Sequence, residues 1–300
     1  MRADVRAGLT GSPKALPPKW FYDARGSELF EEITALPEYY PTRAEREILL
    51  ARSGEIAAAS GARTLVELGS GSSEKTRHLI DALDGLHTYV PVDVSESALP
   101  GGRALAAERP GLEVHALVAD FTAELTLPDT RGRAWWRSSA APSAICCRTN
   151  GPRSSKVRAL LAPGDALLLG TDLVKDEETL VRAYDDAAGV TAAFNKNVLN
   201  VVNRELGADF DPDAFEHVAV WDAEHEWIEM RLRSRTAQSV KIPALEMVVD
   251  FAEGEELRTE VSAKFRQEGV RAELSAAGLD LTRWWTDEAG RFALSLSVAR

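Results

Sequence analysis

One short passage constrains this chain more than any other. Leu65, Val66, Glu67 and Leu68 run directly into Gly69, Ser70, Gly71, Ser72 and Ser73, and Glu74 to Leu83 then follow a helical pattern. An apolar strand, a glycine turn and a helix start, in that order, make a corner that holds a ligand against bare backbone amides at a helix N-terminus. A second apolar run, Tyr89 to Val92, closes on Asp93, at about the separation where a parallel neighbouring strand offers a carboxylate to ribose hydroxyls. A tight strand-to-helix connection also uses glycine with no ligand present, so the turn alone leaves both readings open. Asp93 tips it towards an adenosine-type cofactor. Glu74 stands where the third glycine of G-x-G-x-x-G belongs. A dinucleotide's pyrophosphate needs the helix to approach closely there, so this departure favours a nucleoside without phosphates, such as S-adenosylmethionine, over a nicotinamide cofactor.

The remaining text supplies a sheet for that corner. Strands are predicted at Thr64 to Leu68, Thr88 to Asp93, Glu113 to Asp120 and Asp165 to Asp172, with helices between them. This order implies an α/β fold, a Rossmann-like doubly wound parallel sheet. Upstream, Pro17 to Arg46 reads as helix with interruptions, and Thr42 with Glu45 has the spacing of a capping box. Beyond Lys175 the pattern changes to helices at Glu178 to Ala188 and Thr191 to Leu206. Alternating segments follow at Glu216 to Trp221, Trp227 to Arg233, Ser239 to Pro243 and Leu245 to Phe251. The period of two in Ile228, Met230 and Leu232 marks antiparallel strands with one buried face, so a smaller α+β substrate-binding domain is inserted late in the first. A helix at Val270 to Leu279 and two strands within Leu281 to Val298 then return to the first sheet as an antiparallel edge.

Composition narrows the function classes. The 300 residues are 45% hydrophobic, ample for a core, and the formal net charge of -12 repels a phosphate backbone, so no nucleic acid partner is expected. Met1 to Gly11 carries charges without an apolar signal core, and no window approaches the ~20 apolar residues of a membrane span. A cytoplasmic protein acting on a small molecule, with no membrane and no inferred protein partner, is the expectation. Cys146 and Cys147 are adjacent, which suits neither a disulfide framework nor a C-x-x-C site, and the five histidines lack ligand spacing. No metal is expected.

One window breaks the pattern. Between Arg131 and Arg158 lie seven basic residues and no acidic one, in a chain whose acids outnumber its bases 47 to 35. The sheet needs a buried strand between Asp120 and Asp165, yet the window has no apolar run to supply it. Three readings compete: a divergent basic loop, a nucleic-acid patch, or a stretch translated out of frame. Written in G/C-rich codons and read two nucleotides later, Trp135 to Pro152 becomes Val-Ala-Phe-Leu-Gly-Gly-Thr-Ile-Gly-Asn-Leu-Leu-Pro-Asn-Glu-Arg-Ala. That is a buried strand, a glycine turn and a helix start where the fold requires them, so the window 131–157 reads as frame-shifted. Trp135, Trp136, Cys146 and Cys147 then carry no designed role. A nucleotide sequence lacking a compensating pair of indels against close relatives would refute this.

With these pieces in place, the chain resembles the histidine N-alpha-methyltransferases of ergothioneine biosynthesis, which make trimethylhistidine (hercynine) with S-adenosylmethionine. The resemblance covers Asp4 to about Leu125 and Val157 to the end. It rests on Pro18 to Asp23, Leu36 to Thr42, Glu67 to Thr76, Leu169 to Asp176, Ala183 to Asp186 and Thr259 to Ser262. It implies an N-terminal helical segment (1–45) contributing to the substrate pocket, a methyltransferase domain (46–178), a substrate-binding insertion (179–264) and a return to the first sheet (265–300). Family members place a Gly-Thr/Ser-Ile-Gly-Asn turn after the fourth strand, which this chain lacks and the shifted reading restores. The family's asparagine near the substrate amine falls there too; its shifted codon straddles Ala144 and Ile145, so neither inherits the role.

The resemblance implies cofactor contacts at Gly69, Lys75, Asp93, Asp120 and Phe121. Asp93 takes ribose hydroxyls, Asp120 accepts the adenine amino group with Phe121 against the ring, and Lys75 reaches the methionine carboxylate. Taken alone, Asp120 also suits a helix cap, and Lys75 reads first as an ordinary solvated lysine. For the acceptor it implies Tyr39 and Tyr184 on the amino acid's carboxylate, Glu260 and Ser262 on its imidazole with Val261 between them, and Tyr22 and Met230 lining the pocket. Glu260 and Ser262 are two apart in an apparent strand and share a face, which spacing alone would leave as solvent surface. A carboxylate beside a hydroxyl nonetheless suits imidazole, since Glu accepts the ring N-H and Ser serves the other nitrogen in either direction. Tyr39 and Tyr184 equally suit packing aromatics. Tyr22 is the candidate to take the amine proton. Two rival functions stand beside this one: a non-catalytic binder of S-adenosylmethionine disabled by the altered fourth strand, and a methyltransferase for another amine.

Overall fold

The computed structural model describes residues 1–70, 75–93, 99–119, 134–138 and 158–300. The chain opens with helix α1 (Arg2–Thr10), strand β1 (Lys14–Ala15), a 3-10 turn (Pro18–Phe21) and helices α2 (Ala24–Ala35) and α3 (Pro41–Ser60). Then come β2 (Thr64–Leu68), α4 (Arg77–Ala82), β3 (Thr88–Asp93), α5 (Leu99–Glu108), β4 (Glu113–Val114), β5 (Leu117–Val118), β6 (Ala134–Ser138) and β7 (Ala166–Asp172). Two helices, α6 (Glu177–Tyr184) and α7 (Val190–Leu206), precede strands β8 (Phe215–Asp222), β9 (Trp227–Ser234), β10 (Gln238–Ile242), β11 (Met247–Phe251) and β12 (Glu256–Ala263). Helix α8 (Gln267–Ala276), β13 (Leu279–Thr286) and β14 (Phe292–Ala299) close the chain. These elements form two units, Met1–Tyr40 with Lys175–Ser262, and Pro41–Val174 with Ala263–Arg300.

The unit containing β2 is built on a sheet of order β13-β14-β7-β6-β2-β3-β4, with β5 also on β3. Pairs β2/β3, β2/β6, β6/β7, β3/β4 and β3/β5 are parallel, while β14 runs antiparallel to both β7 and β13. This is the α/β, Rossmann-like parallel sheet with an antiparallel edge. Every residue of β2 and β7 is buried, as expected where helices cover both faces of a parallel sheet. Leu65, Leu79, Tyr89, Leu168 and Leu294 belong to its core. In the other unit β8 and β9 pair antiparallel, β12 lies beside β9, and β1 joins β12 in parallel; β10 and β11 make a separate hairpin. Its core gathers Phe21, Phe194, Val198, Leu232 and Leu257.

Several expectations need correction. The window read as lacking a strand supplies β6, whose backbone lies parallel between β2 and β7 with Trp135 and Trp136 in register with Leu65 and Val66. A slot with an open hydrogen-bond ladder on both sides accepts any extended backbone, and tryptophan is comfortable in strands. Trp135 and Trp136, read as roleless, therefore occupy central ladder positions. Ala144, Ile145, Cys146 and Cys147 lie outside the described residues. The strand expected from Glu113 to Asp120 is two short pieces, β4 and β5, because an edge strand has one ladder to hold it instead of two. Thr42 and Glu45 do not form a capping box: α3 already begins at Pro41, a residue suited to the first helical position, so Thr42 is inside the first turn. Helix α6 stops at Tyr184, short of the expected Ala188, because the Asp186 carboxylate accepts the amides of Val190 and Thr191 and starts the next helix. Among the described residues no helix is long and apolar enough to cross a membrane.

Candidate functional site

In the parallel-sheet unit the glycine corner and the following strand end meet. Gly69 has φ +73°, a conformation that favours glycine, and its amide donates to the Val92 carbonyl at 2.8 Å; the Ser70 amide reaches the same oxygen at 3.2 Å. The turn is thereby fastened beside Asp93 at the carboxyl edge of the parallel sheet, where ligands of such sheets bind. Below it the buried Glu67 carboxylate accepts the hydroxyls of Thr76 and Tyr89, each at 2.5 Å. Those bonds tie strand β2 to β3 and to the entry of α4. Lys75, just before that helix, pairs with Glu45 of α3, a carboxylate only 2% exposed. The expected approach of Lys75 to a ligand carboxylate thus starts from an ammonium already oriented by a buried acid. Gly71, Ser72, Ser73, Glu74, Asp120 and Phe121 lie outside the described residues.

At the end of β7 a second buried ion pair joins Asp172 to Lys264 at 2.9 Å, the lysine side chain being 0% exposed. The sequence marks Asp172 only as a strand end within the Leu169 to Asp176 segment, and it does not mark Lys264. A lysine two positions beyond a polar strand pattern carries no local mark of burial.

The other unit brings most of the acceptor candidates together. The Tyr184 hydroxyl lies 2.7 Å from Ser262 Oγ, joining the end of α6 to β12. The Tyr39 and Tyr184 rings meet edge to face at 6.4 Å, and Phe30 packs against Tyr39 at 6.3 Å. Tyr22 is 36% exposed, with its ring against Phe30 at 5.7 Å and Phe194 at 5.5 Å. Such pairs contribute about 0.5–1.5 kcal/mol each beyond burial and fix ring orientation. Glu260 and Val261 are half-buried in β12, whereas Met230 is fully packed in the core of β9.

The segment carrying Tyr22 is held from several sides. Asp23 caps α2 by accepting the Gly26 amide at 2.8 Å, and it also accepts from Asn197 at 2.8 Å and from Arg204 at 2.7 Å. Burial works against ionisation of Asp23, but these donors outweigh it and hold the carboxyl below its ordinary value. A Cβ at Gly26 would fall 1.7 Å from the Phe21 carbonyl oxygen, so this close approach requires glycine. Phe30, Phe194 and Asn197 were not picked out in advance. The signal for Asn197 exists, since a polar residue at a core-periodic helix position must find partners inside.

A cofactor corner with a carboxylate suited to a diol, and an aromatic and hydroxyl-lined cluster in the other unit, suit enzymes that modify small polar molecules. The profile of the family described as "Histidine-specific methyltransferase, SAM-dependent" matches residues 1–299. The histidine N-alpha-methyltransferase of Mycolicibacterium smegmatis is 60% identical over 305 residues, covering 99% of this chain and 94% of that protein. That of Mycobacterium tuberculosis is 57% identical with the same coverage. Ergothioneine biosynthesis protein 1 of Neurospora crassa is 28% identical across 91% of this chain and 32% of its own length. The chain belongs to the histidine-specific, S-adenosylmethionine-dependent methyltransferase family.

Proposed function

We propose that this protein methylates the α-amine of L-histidine until it is quaternary, forming trimethylhistidine (hercynine) in ergothioneine biosynthesis. The observation that carries the reading is the family match across residues 1–299, supported by full-length relatives of the same description. S-adenosylmethionine, when bound, supplies an electrophilic methyl carbon on a positively charged sulfur. The residues of the parallel-sheet unit fit such a group. The glycine-bearing turn beside Asp93 suits a ribose diol, and Lys75 suits an amino-acid carboxylate. Asp120 and Phe121 are assigned to the adenine.

Tyr39 and Tyr184 hold the histidine carboxylate in this reading, and Glu260 with Ser262 reads the imidazole. The 2.7 Å contact of Tyr184 with Ser262 supports a shared pocket for the two ends of a small amino acid. Val261 and Tyr22 are assigned to its lining, with Met230 packed in the core behind them. An α-amine is mostly protonated near neutral pH and lacks a lone pair in that form, so the protein must remove a proton before transfer. Tyr22, 36% exposed, is assigned to pass it to solvent. Orientation then does most of the remaining work, since displacement at carbon requires the nitrogen lone pair in line with the departing sulfur. A cytoplasmic location belongs to the same proposal.

The test is incubation of the protein with histidine and S-adenosylmethionine, with products followed by mass spectrometry. Histidine carrying up to three added methyl groups is expected. Retained cofactor binding with histidine left unmethylated would overturn the proposal, and turnover of a different amino acid in preference to histidine would redirect it.

A further inference from the structure

Beneath the acceptor candidates runs a buried polar relay. His217 of β8, its side chain 3% exposed, places Nε2 2.8 Å from the backbone carbonyl oxygen of Tyr184. A carbonyl only accepts, so Nε2 carries a proton. Nδ1 lies 2.8 Å from the amide nitrogen of Asn195 on α7, and an amide nitrogen only donates, so Nδ1 is bare. The ring is neutral and held in one tautomer. Burial favours that neutral form, with Lys196 acting in the same direction and Asp185 and Asp186 opposing it.

The amide of Asn195 is equally constrained. Its nitrogen also donates to the Arg231 carbonyl at 3.1 Å, while its oxygen accepts the Thr259 hydroxyl at 2.6 Å. Turning the amide over would set its oxygen against the Arg231 carbonyl and the bare Nδ1. Thr259 further lies 2.9 Å from the Met230 carbonyl, and its neighbour in β12 is Glu260. Tyr184, whose carbonyl in the last turn of α6 meets His217, also carries the hydroxyl that meets Ser262. One chain of hydrogen bonds therefore links the backbone of Tyr184 to the strand bearing Glu260 and Ser262.

An apolar pair would fill the same space without the desolvation that three buried polar side chains incur. What the polar version adds is directionality, because each bond here has one permitted donor and one permitted acceptor. We propose that Asn195 and His217 are positioning residues, which set the separation between Tyr184 and β12 and thereby the fit of the imidazole-bearing amino acid. The inference rests on the reading of Tyr184, Glu260 and Ser262 as acceptor-binding residues.

The test measures affinities of the full-length protein for histidine and for S-adenosylmethionine separately, by calorimetric titration, in His217→Phe, Thr259→Val and His217→Gln. His217→Phe removes both ring hydrogen bonds, and a loss of histidine affinity of about tenfold is expected with cofactor affinity held, since the change touches the acceptor's surroundings alone. Thr259→Val deletes one hydroxyl at nearly constant volume, and a smaller loss with the same selectivity is expected. His217→Gln retains one donor and one acceptor and should recover part of the affinity. Unchanged histidine affinity in a folded His217→Phe protein, or equal loss for both ligands, would overturn the relay's role. Should His217→Phe fail to fold, unchanged histidine affinity in Thr259→Val does so instead. A parent protein that binds cofactor but no histidine sinks the functional reading itself, and the relay's role with it.

Discussion

The two units use polar residues in opposite ways. In the parallel-sheet unit β2 and β7 are buried along their whole length, and the charged groups that matter lie at strand ends: Asp93, Asp172 and, one residue short of the end, Glu67. In the other unit polar groups pair along and across the strands themselves. Arg231 contacts Glu229 at 2.7 Å and Glu256 at 2.6 Å, Arg233 contacts Glu256 at 2.7 Å, and Arg258 contacts Glu229 at 3.2 Å. A parallel sheet covered on both faces leaves chemistry nowhere but its carboxyl edge, whereas an antiparallel sheet can dedicate a face to it. A cofactor corner is therefore a local motif, and an acceptor pocket is a pattern of distant pairings.

The comparison can be broken at its strongest point first. Lys264 is fully buried against Asp172, so Lys264→Met should destabilise the protein by about 3 kcal/mol, measured by chemical denaturation, because one charge of a buried pair is left behind. A neutral result would mean that the strand-end charges of this unit are not structurally coupled. Next comes the window 131–157, which the sequence pattern suggests is read out of frame. A chain with the shifted reading in place of Trp135 to Pro152 should turn over histidine about a hundredfold faster than the present chain, as expected when an aligning group near the amine is restored. Equal rates would remove the basis for that reading.

Asp93→Ala and Glu260→Ala sharpen the division of labour. Asp93→Ala should weaken S-adenosylmethionine binding about tenfold and leave histidine affinity intact, and Glu260→Ala should do the reverse, each losing hydrogen bonds to a charged group. Equal loss of both ligands in either variant would erase the distinction. In the charged ladder, Arg233→Ala should cost below about 1 kcal/mol, since the side chain is 41% exposed and water replaces its contacts.

The smallest effect is a pH dependence. His217 titrates below its ordinary 6.5 in the folded state because burial disfavours the charged ring. The unfolded chain thus binds the proton more readily, and stability should be full above pH 6.5 and decline as the pH falls below it. Melting curves of the parent and of His217→Phe should diverge most above that pH, with the variant showing the flatter profile. A parent curve without decline between neutral and mildly acidic pH would contradict the assignment of a neutral buried ring.

How much of this was legible varies with the range of the interaction. Strands β2 and β3 have the predicted bounds, because an apolar run ending in a glycine or an acid is a local signal. Helix α1 and the two-residue β1 were not foreseen; β1 exists because Lys14 and Ala15 find Leu257 and Arg258 of β12. Strand β6 was hidden because its place in the sheet is created by two other strands. Asn195 did leave a trace, since with Val198 and Val202 it lies on the buried stripe of α7, but nothing nearby named His217 as its partner.

By itself the sequence determined strands β2, β3 and β7, the glycine corner with Asp93 beyond it, and the family to which these motifs belong. Periodicity and turn chemistry act within a few residues, so they are written locally. Tertiary structure decided the pairings: Lys75 with Glu45, Lys264 with Asp172, Tyr184 with Ser262, and His217 with Asn195. A hydrogen bond between residues far apart in the chain has no sequence signature of its own. It exists once folding has brought its donor and acceptor together and excluded water from both.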